Sequence, residues 1–169
     1  VNILGFALYG PGDEIVARFS SSPGLKITKI SGDGGKLPFD INKNTAGFSA
    51  LKLLEHLNES SLGIELEIYK RMPTGSGLGS SAASAVASVM AINELLRRPL
   101  SKRELLPFAV FGVQMADNEF HAVNVAPSLL GGIILIRDNQ SLDVHRLPVP
   151  KGLFASVIYP HFEILPKNT

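Results

Sequence analysis

The sequence predicts a single α+β domain, and three observations support this prediction. Segments with period-two alternation, typical of strands, and segments with three-to-four-residue spacing, typical of helices, follow one another in mixed order. The hydrophobic content of 45% in 169 residues is enough for one ordinary core. No internal repeat or low-complexity linker divides the chain, so the elements are expected to share that core.

Two strands are predicted near the start of the chain. The segments EIVARFS and LKITKIS, residues 14–20 and 25–31, are typical of strands. Between them, residues 21–24 read SSPG, which favours a turn. We therefore expect the two strands to pair as a hairpin or as part of a meander.

The first helix is predicted over residues 45–57, TAGFSALKLLEHL. Asn44 precedes it and is a suitable N-cap, because its side-chain oxygen can accept hydrogen bonds from the first free N–H groups. The apolar residues that fall on one helical face are Phe48, Leu51, Leu54 and Leu57.

The remaining strands and helices follow the same rules. In residues 63–70, GIELEIYK, apolar residues alternate with glutamates, as in a strand with one solvated face. Ser101 and Glu104 form a capping box that opens a helix to about Asp117. Late strands are predicted at residues 131–138, 142–148 and 153–160.

A glycine-rich segment connects the strand at residues 63–70 to an alanine-rich helix that begins near Ser80. Its bare backbone presents several N–H groups at a helix N-terminus, where the helix dipole adds positive potential. This arrangement favours a bound phosphate, and Ser80 and Ser81 can add hydroxyl oxygens for phosphate or Mg²⁺. The segment is not a Walker A loop, because no lysine follows the last glycine. The alternative is a flexible loop before a closely packed helix.

The composition excludes several classes of protein. Lys and Arg number 16 against 15 Asp and Glu, so no strong field attracts nucleic acid or an anionic membrane. No apolar run is long enough to cross a bilayer. The absence of cysteine removes disulfides, thiolate metal sites and cysteine nucleophiles. We expect a cytoplasmic protein without nucleic-acid or membrane partners.

Three segments carry a resemblance to a known family. PTGSGLGSSAA, residues 73–83, resembles the PxxxGLGSSAA signature of the GHMP kinases. HAVNVAPSLLGGI, residues 121–133, resembles the HxDNVAPxxxGG segment of the homoserine kinases within that superfamily, and residues 3–15 resemble the part that follows their first motif. The resemblance implies a ribosomal-S5-like α+β domain at residues 1–150, with an antiparallel-rich sheet packed on helices. It also implies the start of a second, truncated domain at residues 151–169 and a possible homodimer.

The resemblance implies ATP and Mg²⁺ as cofactors and assigns residues to them. The Ser81 hydroxyl is expected to bind Mg²⁺ as a catalytic ligand, and Asn44 to help hold the adenine. The residues expected around the nucleotide are Asn44, Pro73, Gly75, Ser76, Gly77, Leu78, Gly79, Ser80 and Ser81.

For the substrate, the resemblance implies that His121 lies near the homoserine carboxylate and donates a hydrogen bond to it. Asn124 stands where many GHMP kinases carry a catalytic aspartate. Since an amide cannot act as a general base, catalysis is expected to rest on positioning and charge stabilisation. Asn2 replaces an aspartate of the family that contacts the substrate, and it can still form hydrogen bonds.

Two further departures remove carboxylates. Val123 replaces the aspartate of the HxDN pattern, and Val113 stands where a glutamate that binds magnesium is expected. Because Mg²⁺ prefers oxygen ligands, weaker metal binding and slower turnover are predicted, with nucleotide binding less affected. The leading hypothesis is ATP-dependent phosphorylation of the hydroxyl of L-homoserine, a step towards threonine. The alternatives are another GHMP kinase that acts on mevalonate, a sugar or a related small alcohol, and a non-catalytic nucleotide-binding pseudokinase or fragment.

Overall fold

A computed structural model of the chain describes residues 2–10, 12–97, 99–117, 120 and 122–158. These residues contain both helices and antiparallel-rich sheets, so the predicted α+β class is confirmed. The elements in chain order are β1 (Ile3–Phe6), β2 (Glu14–Phe19), β3 (Leu25–Ser31), α1 (Thr45–His56), β4 (Ile64–Tyr69), α2 (Ser80–Leu95), α3 (Lys102–Asp117), α4 (Val125–Leu130), β5 (Ile133–Asp138) and β6 (Asp143–Leu147).

The described strands form two three-stranded sheets, with orders β1-β5-β6 and β2-β4-β3. The predicted hairpin of β2 and β3 is wrong, because β4 lies between them, antiparallel to β2 and parallel to β3. Ile64, Leu66 and Ile68 of β4 are fully buried. A central position gives this strand hydrogen-bond partners on both sides, which a buried backbone requires.

Helix α1 begins at the predicted residue and ends at His56, one residue before the predicted end, and its most buried face differs from the predicted one. Phe48, Leu51 and Leu57 are only partly buried. Small residues share the buried face because α1 packs closely against both α2 and α3. The fully or almost fully buried residues of α1 are Ala46, Gly47, Ser49, Ala50, Leu53 and Leu54.

Helix α3 confirms its predicted start and crosses α1 at a glycine. The Ser101 N–H donates to Glu104 Oε2 at 2.8 Å, and the Glu104 N–H donates to Ser101 Oγ at 3.4 Å, which completes the capping box. At Gly112, an added Cβ would lie 2.6 Å from the Thr45 carbonyl oxygen. Only a residue without a side chain permits the two helices to approach this closely.

The predicted strands at residues 131–138 and 142–148 form as β5 and β6. The predicted strand at residues 153–160 is wrong for residues 153–158, which are exposed and form no strand, and residues 159–160 lie outside the described part. Without a neighbouring strand, an apolar run has no partner for its backbone groups. No described helix is both long and apolar enough to cross a bilayer.

Candidate phosphate-binding site

The glycine-rich loop, residues 73–79, lies in the connection from β4 to α2. Gly75, Gly77 and Gly79 have φ angles of +71°, +73° and +84°, a left-handed conformation that glycine adopts without steric cost. A Cβ at Gly75 or Gly77 would meet no atom within 4 Å, so the backbone faces open space there. The loop therefore presents backbone rather than side chains.

Two serine hydroxyls hold the loop in shape. The Ser76 hydroxyl donates to the Pro73 carbonyl at 2.7 Å and accepts a hydrogen bond from the Leu78 N–H at 3.2 Å. The Ser80 hydroxyl is buried and donates to the Met72 carbonyl at 3.2 Å. The Ser80 hydroxyl proton is thus used inside the protein, which leaves the backbone N–H as the donor that Ser80 can offer to an anion.

The N-terminus of α2 is open to an acceptor from outside the chain. Gly79 is its N-cap residue, and no side chain caps the helix there. The first intrahelical hydrogen bond runs from the Ala83 N–H to the Gly79 carbonyl at 2.9 Å. The N–H groups of Ser80 to Ala82 belong to the first turn of α2, where backbone N–H groups have no acceptor within the helix. Together with the dipole of a 16-residue helix, they form a site for an anionic group.

A cavity of about 200 Å³ opens beside this helix end and brings Asn124 to the loop. A Cβ at Gly79 would lie 3.1 Å from the Cβ of Asn124. Asn124 precedes α4, its side chain makes no capping hydrogen bond, and it is exposed. Its amide can therefore face a group bound between α2 and α4. The cavity is lined by Phe6, Ala7, Leu8, Gly10, Gly12, Met72, Leu78, Gly79, Ala83, Asn124 and Ser128.

Asn44 acts as the N-cap of α1, as its position predicts. Its Oδ1 accepts hydrogen bonds from the N–H groups of Ala46 and Gly47 at 3.0 and 3.3 Å, and its Nδ2 donates to the Pro38 carbonyl at 2.9 Å. The residue is 3% exposed. These bonds explain why an asparagine stands at this position as a helix cap. Its predicted contact with adenine stays a prediction.

The α3 position where a metal-binding glutamate is expected is apolar and closed. Val113 is 4% exposed and packs within the core. No group of three or more His, Cys, Asp or Glu side chains in the described part of the chain is placed to hold a metal ion. The hydroxyl of the half-buried Ser81 is the predicted metal ligand that remains. The loop thus fits a phosphate, whereas the surrounding side chains do not supply the oxygen ligands that Mg²⁺ requires.

The predicted substrate residues are placed only in part. Asn2 is exposed, and the cavity beside the loop is lined by other residues. Val123 is half-buried, and its carbonyl oxygen lies against Gly5 of β1. His121 lies outside the described residues. Asn124, which was predicted as a catalytic residue, lies beside the loop.

Two parts of the site escaped sequence reasoning. Phe6, Ala7 and Leu8 form a wall of the cavity, although the resemblance of residues 3–15 to the homoserine kinases assigned no site role to these residues. Asp13 and Lys70, which lie 57 positions apart, form a buried ion pair under the loop. In the sequence, Asp13 and Lys70 are charged residues near apolar segments. Such a pattern does not show which two charges form a pair in the fold.

The fold and loop together define an α+β domain of the kind that binds an anion at a helix N-terminus. The sequence profile of the GHMP kinases N terminal domain matches residues 44–132, just over half of the chain. The chain belongs to the GHMP kinases.

Within this family, the chain is similar to several homoserine kinases. The homoserine kinase of Chlorobium phaeovibrioides is 46% identical over 96% of this chain and 54% of its own length. The crystal structure of homoserine kinase from Cytophaga hutchinsonii superposes with a TM-score of 0.93, at 52% identity, over 97% of this chain and 52% of that one. The fold is shared with Methanococcus jannaschii mevalonate kinase. That structure superposes with a TM-score of 0.63, at 14% identity, over 88% of this chain and 56% of that one. The chain spans about half the length of the homoserine kinases it matches.

Proposed function

We propose that this chain is the nucleotide-binding part of an ATP-dependent kinase that phosphorylates the hydroxyl of L-homoserine. The observation that carries the proposal is the uncapped N-terminus of α2 behind three glycines with positive φ. The similarity to homoserine kinases over almost the whole chain supports homoserine as the acceptor.

Residues of this chain would act mainly through position. The N–H groups of the loop and of the first turn of α2 would bind phosphate oxygens and stabilise their negative charge. Asn124 would orient a polar group of the bound molecules by hydrogen bonding, without removing a proton. ATP supplies the phosphoryl group when it is bound, and a loose transition state places little demand on a side-chain base.

The site offers fewer ligand groups to Mg²⁺ than to phosphate. Ser81 would offer one hydroxyl oxygen to Mg²⁺, and Val113 offers none. This difference favours a second candidate function, nucleotide binding without efficient transfer. In a chain that includes the second domain, Val113→Glu combined with Val123→Asp is expected to raise kinase activity. No gain, in a double variant that circular dichroism shows to be folded, would contradict the role assigned to these positions.

Three further properties are part of the proposal. The substrate is a small molecule, with no nucleic acid or membrane as partner, and the near balance of charge supports this. The lack of cysteine supports a cytoplasmic location. Dimerisation rests on the family resemblance, and analytical ultracentrifugation tests it.

The first experiment is calorimetric titration of Mg-ATP into the chain, followed by homoserine and an assay for ADP. Binding with ADP formed only in the presence of homoserine supports the kinase. Binding without ADP supports the non-catalytic alternative. An absence of binding contradicts the function assigned to the loop.

A pair of glycine variants makes this experiment specific. Gly79→Ala forces alanine to φ +84° and brings a Cβ to 3.1 Å from Asn124. Gly24→Ala imposes the same φ of +84° with no atom within 4 Å, in the β2–β3 connection. Both are expected to lose about 1–2 kcal/mol of stability, but only Gly79→Ala is expected to weaken nucleotide binding, by about tenfold or more. Equal affinities of the two variants would contradict the assignment of the loop.

A further inference from the structure

A buried polar cluster, which we call the loop anchor, consists of the side chains of Asp13, Lys70 and Ser84. The side chains of Asp13 and Lys70 are 0% and 2% exposed and form an ion pair. The Ser84 hydroxyl donates to Asp13 Oδ2 at 2.5 Å and accepts from Lys70 Nζ at 2.7 Å. Each member of the cluster thus contacts the other two.

The loop anchor reaches both ends of the glycine-rich loop. On the entry side, Asp13 Oδ1 accepts hydrogen bonds from the N–H groups of Arg71 and Met72 at 3.0 and 3.1 Å. On the exit side, Lys70 Nζ donates to the carbonyl oxygen of Ser80, the first residue of α2, at 3.0 Å. One carboxylate and one ammonium group therefore join the end of β4 to the start of α2, in addition to the bond from the Ser80 hydroxyl to the Met72 carbonyl.

Stability alone is a weak reason for such a cluster. The desolvation of two buried charges offsets much of their attraction, and apolar residues of similar volume often stabilise a fold equally well. A lysine ammonium at a helix N-terminus is moreover unfavourable beside the positive end of the dipole, and the Asp13 carboxylate compensates this. Charged groups differ from apolar ones in giving hydrogen bonds of fixed direction.

The loop itself needs external fixation. Three glycines with positive φ have a large conformational freedom in the unbound loop, and ordering them upon ligand binding costs entropy. Inside the loop, the Ser76 hydroxyl makes the two bonds described above. A scaffold that fixes both loop ends in advance reduces the entropy lost on binding and increases affinity.

We infer that Asp13, Lys70 and Ser84 are positioning residues that pre-form the glycine-rich loop for its anionic ligand. They act through the backbone of residues 71–80 and do not touch the ligand. The inference rests on the proposed function insofar as the ligand is the phosphate chain of ATP. The pre-formed state of the loop can be measured without any ligand.

The structure offers a closely matched pair of variants to test this. Ser84→Ala removes one hydroxyl of the loop anchor. Ser88→Ala removes a hydroxyl one turn further along α2, where Ser88 is fully buried and donates to the Ala46 carbonyl at 2.7 Å. Both changes replace a buried serine by alanine in the same helix, but only the first contacts the loop anchor. Asp13→Asn, which keeps the size of the side chain and removes its charge, is a stronger second variant.

Two measurements on the wild-type chain and these variants test the inference. Calorimetric titration with Mg-ATP is expected to show affinity about tenfold lower for Ser84→Ala, as for the loss of one hydrogen bond to a charged group. The Ser88→Ala variant is expected to bind within about twofold of the wild type. Amide hydrogen exchange without nucleotide is expected to be about tenfold faster at Arg71, Met72 and Leu78 in Ser84→Ala than in Ser88→Ala.

The outcomes separate this inference from the proposed function. If the wild-type chain does not bind Mg-ATP, the proposed function fails, and the exchange rates alone decide on the loop anchor. If Ser84→Ala and Ser88→Ala show equal exchange in the loop, the inference is wrong whether or not ATP binds. If Asp13→Asn does not fold, the serine pair still gives the result.

Discussion

Val113→Glu places a carboxylate at the α3 position where the family resemblance expects a metal ligand. Val113 is 4% exposed and is surrounded by the apolar core. Burial without a partner raises the pKa of a carboxyl by about three or more. A rise of three corresponds to a loss of about 4 kcal/mol in the free energy of unfolding near neutral pH.

The pH dependence of this loss has a definite sign. Because the pKa is raised in the folded state, the unfolded chain releases the proton first as the pH rises. The pH-dependent part of the loss is therefore small below about pH 4, where both states hold the proton, and grows until the pH passes the folded-state pKa. Urea denaturation at pH 4 and pH 7, without divalent cations, measures both ends of this range.

Gln114→Glu is the matched control, because it adds the same charge at the next position of α3. Gln114 lies in an open groove that Lys52 also lines, and its substitution is expected to change the unfolding free energy by less than about 1 kcal/mol. If Val113→Glu also stays within about 1 kcal/mol of the wild type at pH 7, the position is not closed and apolar, and the reasoning is refuted. Extra stabilisation of the variant by Mg-ADP, beyond that of the wild type, would show that position 113 faces the metal.

Two further predictions concern helix packing and acid stability. Gly112→Ala brings a Cβ to 2.6 Å from the Thr45 carbonyl oxygen, so thermal unfolding is expected to show a loss of about 1–3 kcal/mol in the free energy of unfolding. The control Gly12→Ala, whose Cβ would meet no atom within 4 Å, should stay within about 1 kcal/mol of the wild type. Equal stability of the two variants would contradict the close approach of α1 and α3. The Leu37 N–H donates to Asp33 and lowers the pKa of its carboxyl. The wild type should therefore lose stability relative to Asp33→Asn as the pH falls from about 4 through the lowered pKa, and parallel acid-unfolding curves would contradict this.

Local signals predicted the elements of this fold better than their pairing. Asn44 and the Ser101–Glu104 box marked two helix starts, because capping depends on neighbours within three residues. The position of β4 between β2 and β3 depends on contacts between segments more than 30 residues apart. A turn sequence such as SSPG shows that the chain reverses, and it does not show which strand fills the gap.

The same distinction applies to the candidate site. The shape of the glycine-rich loop was predictable because glycine and serine act there within one short segment. The loop anchor was not predictable, since Asp13 read as part of a turn and Lys70 as the end of a strand. Val113 was ambiguous in the sequence, where an apolar helix position and a lost metal ligand look alike. Its burial shows that the present residue serves the core.

The departures that the family resemblance implies concern one kind of ligand group. By that resemblance, Asn2, Val113 and Val123 stand where carboxylates are expected, and a single substitution is enough to remove a side-chain ligand. The candidate phosphate-binding site is built from backbone N–H groups, which a side-chain substitution removes only when it changes the backbone conformation, as at Gly79. We therefore propose that nucleotide binding and phosphoryl transfer are separable in this chain, and that changes at Gly79 or in the loop anchor act first on nucleotide affinity.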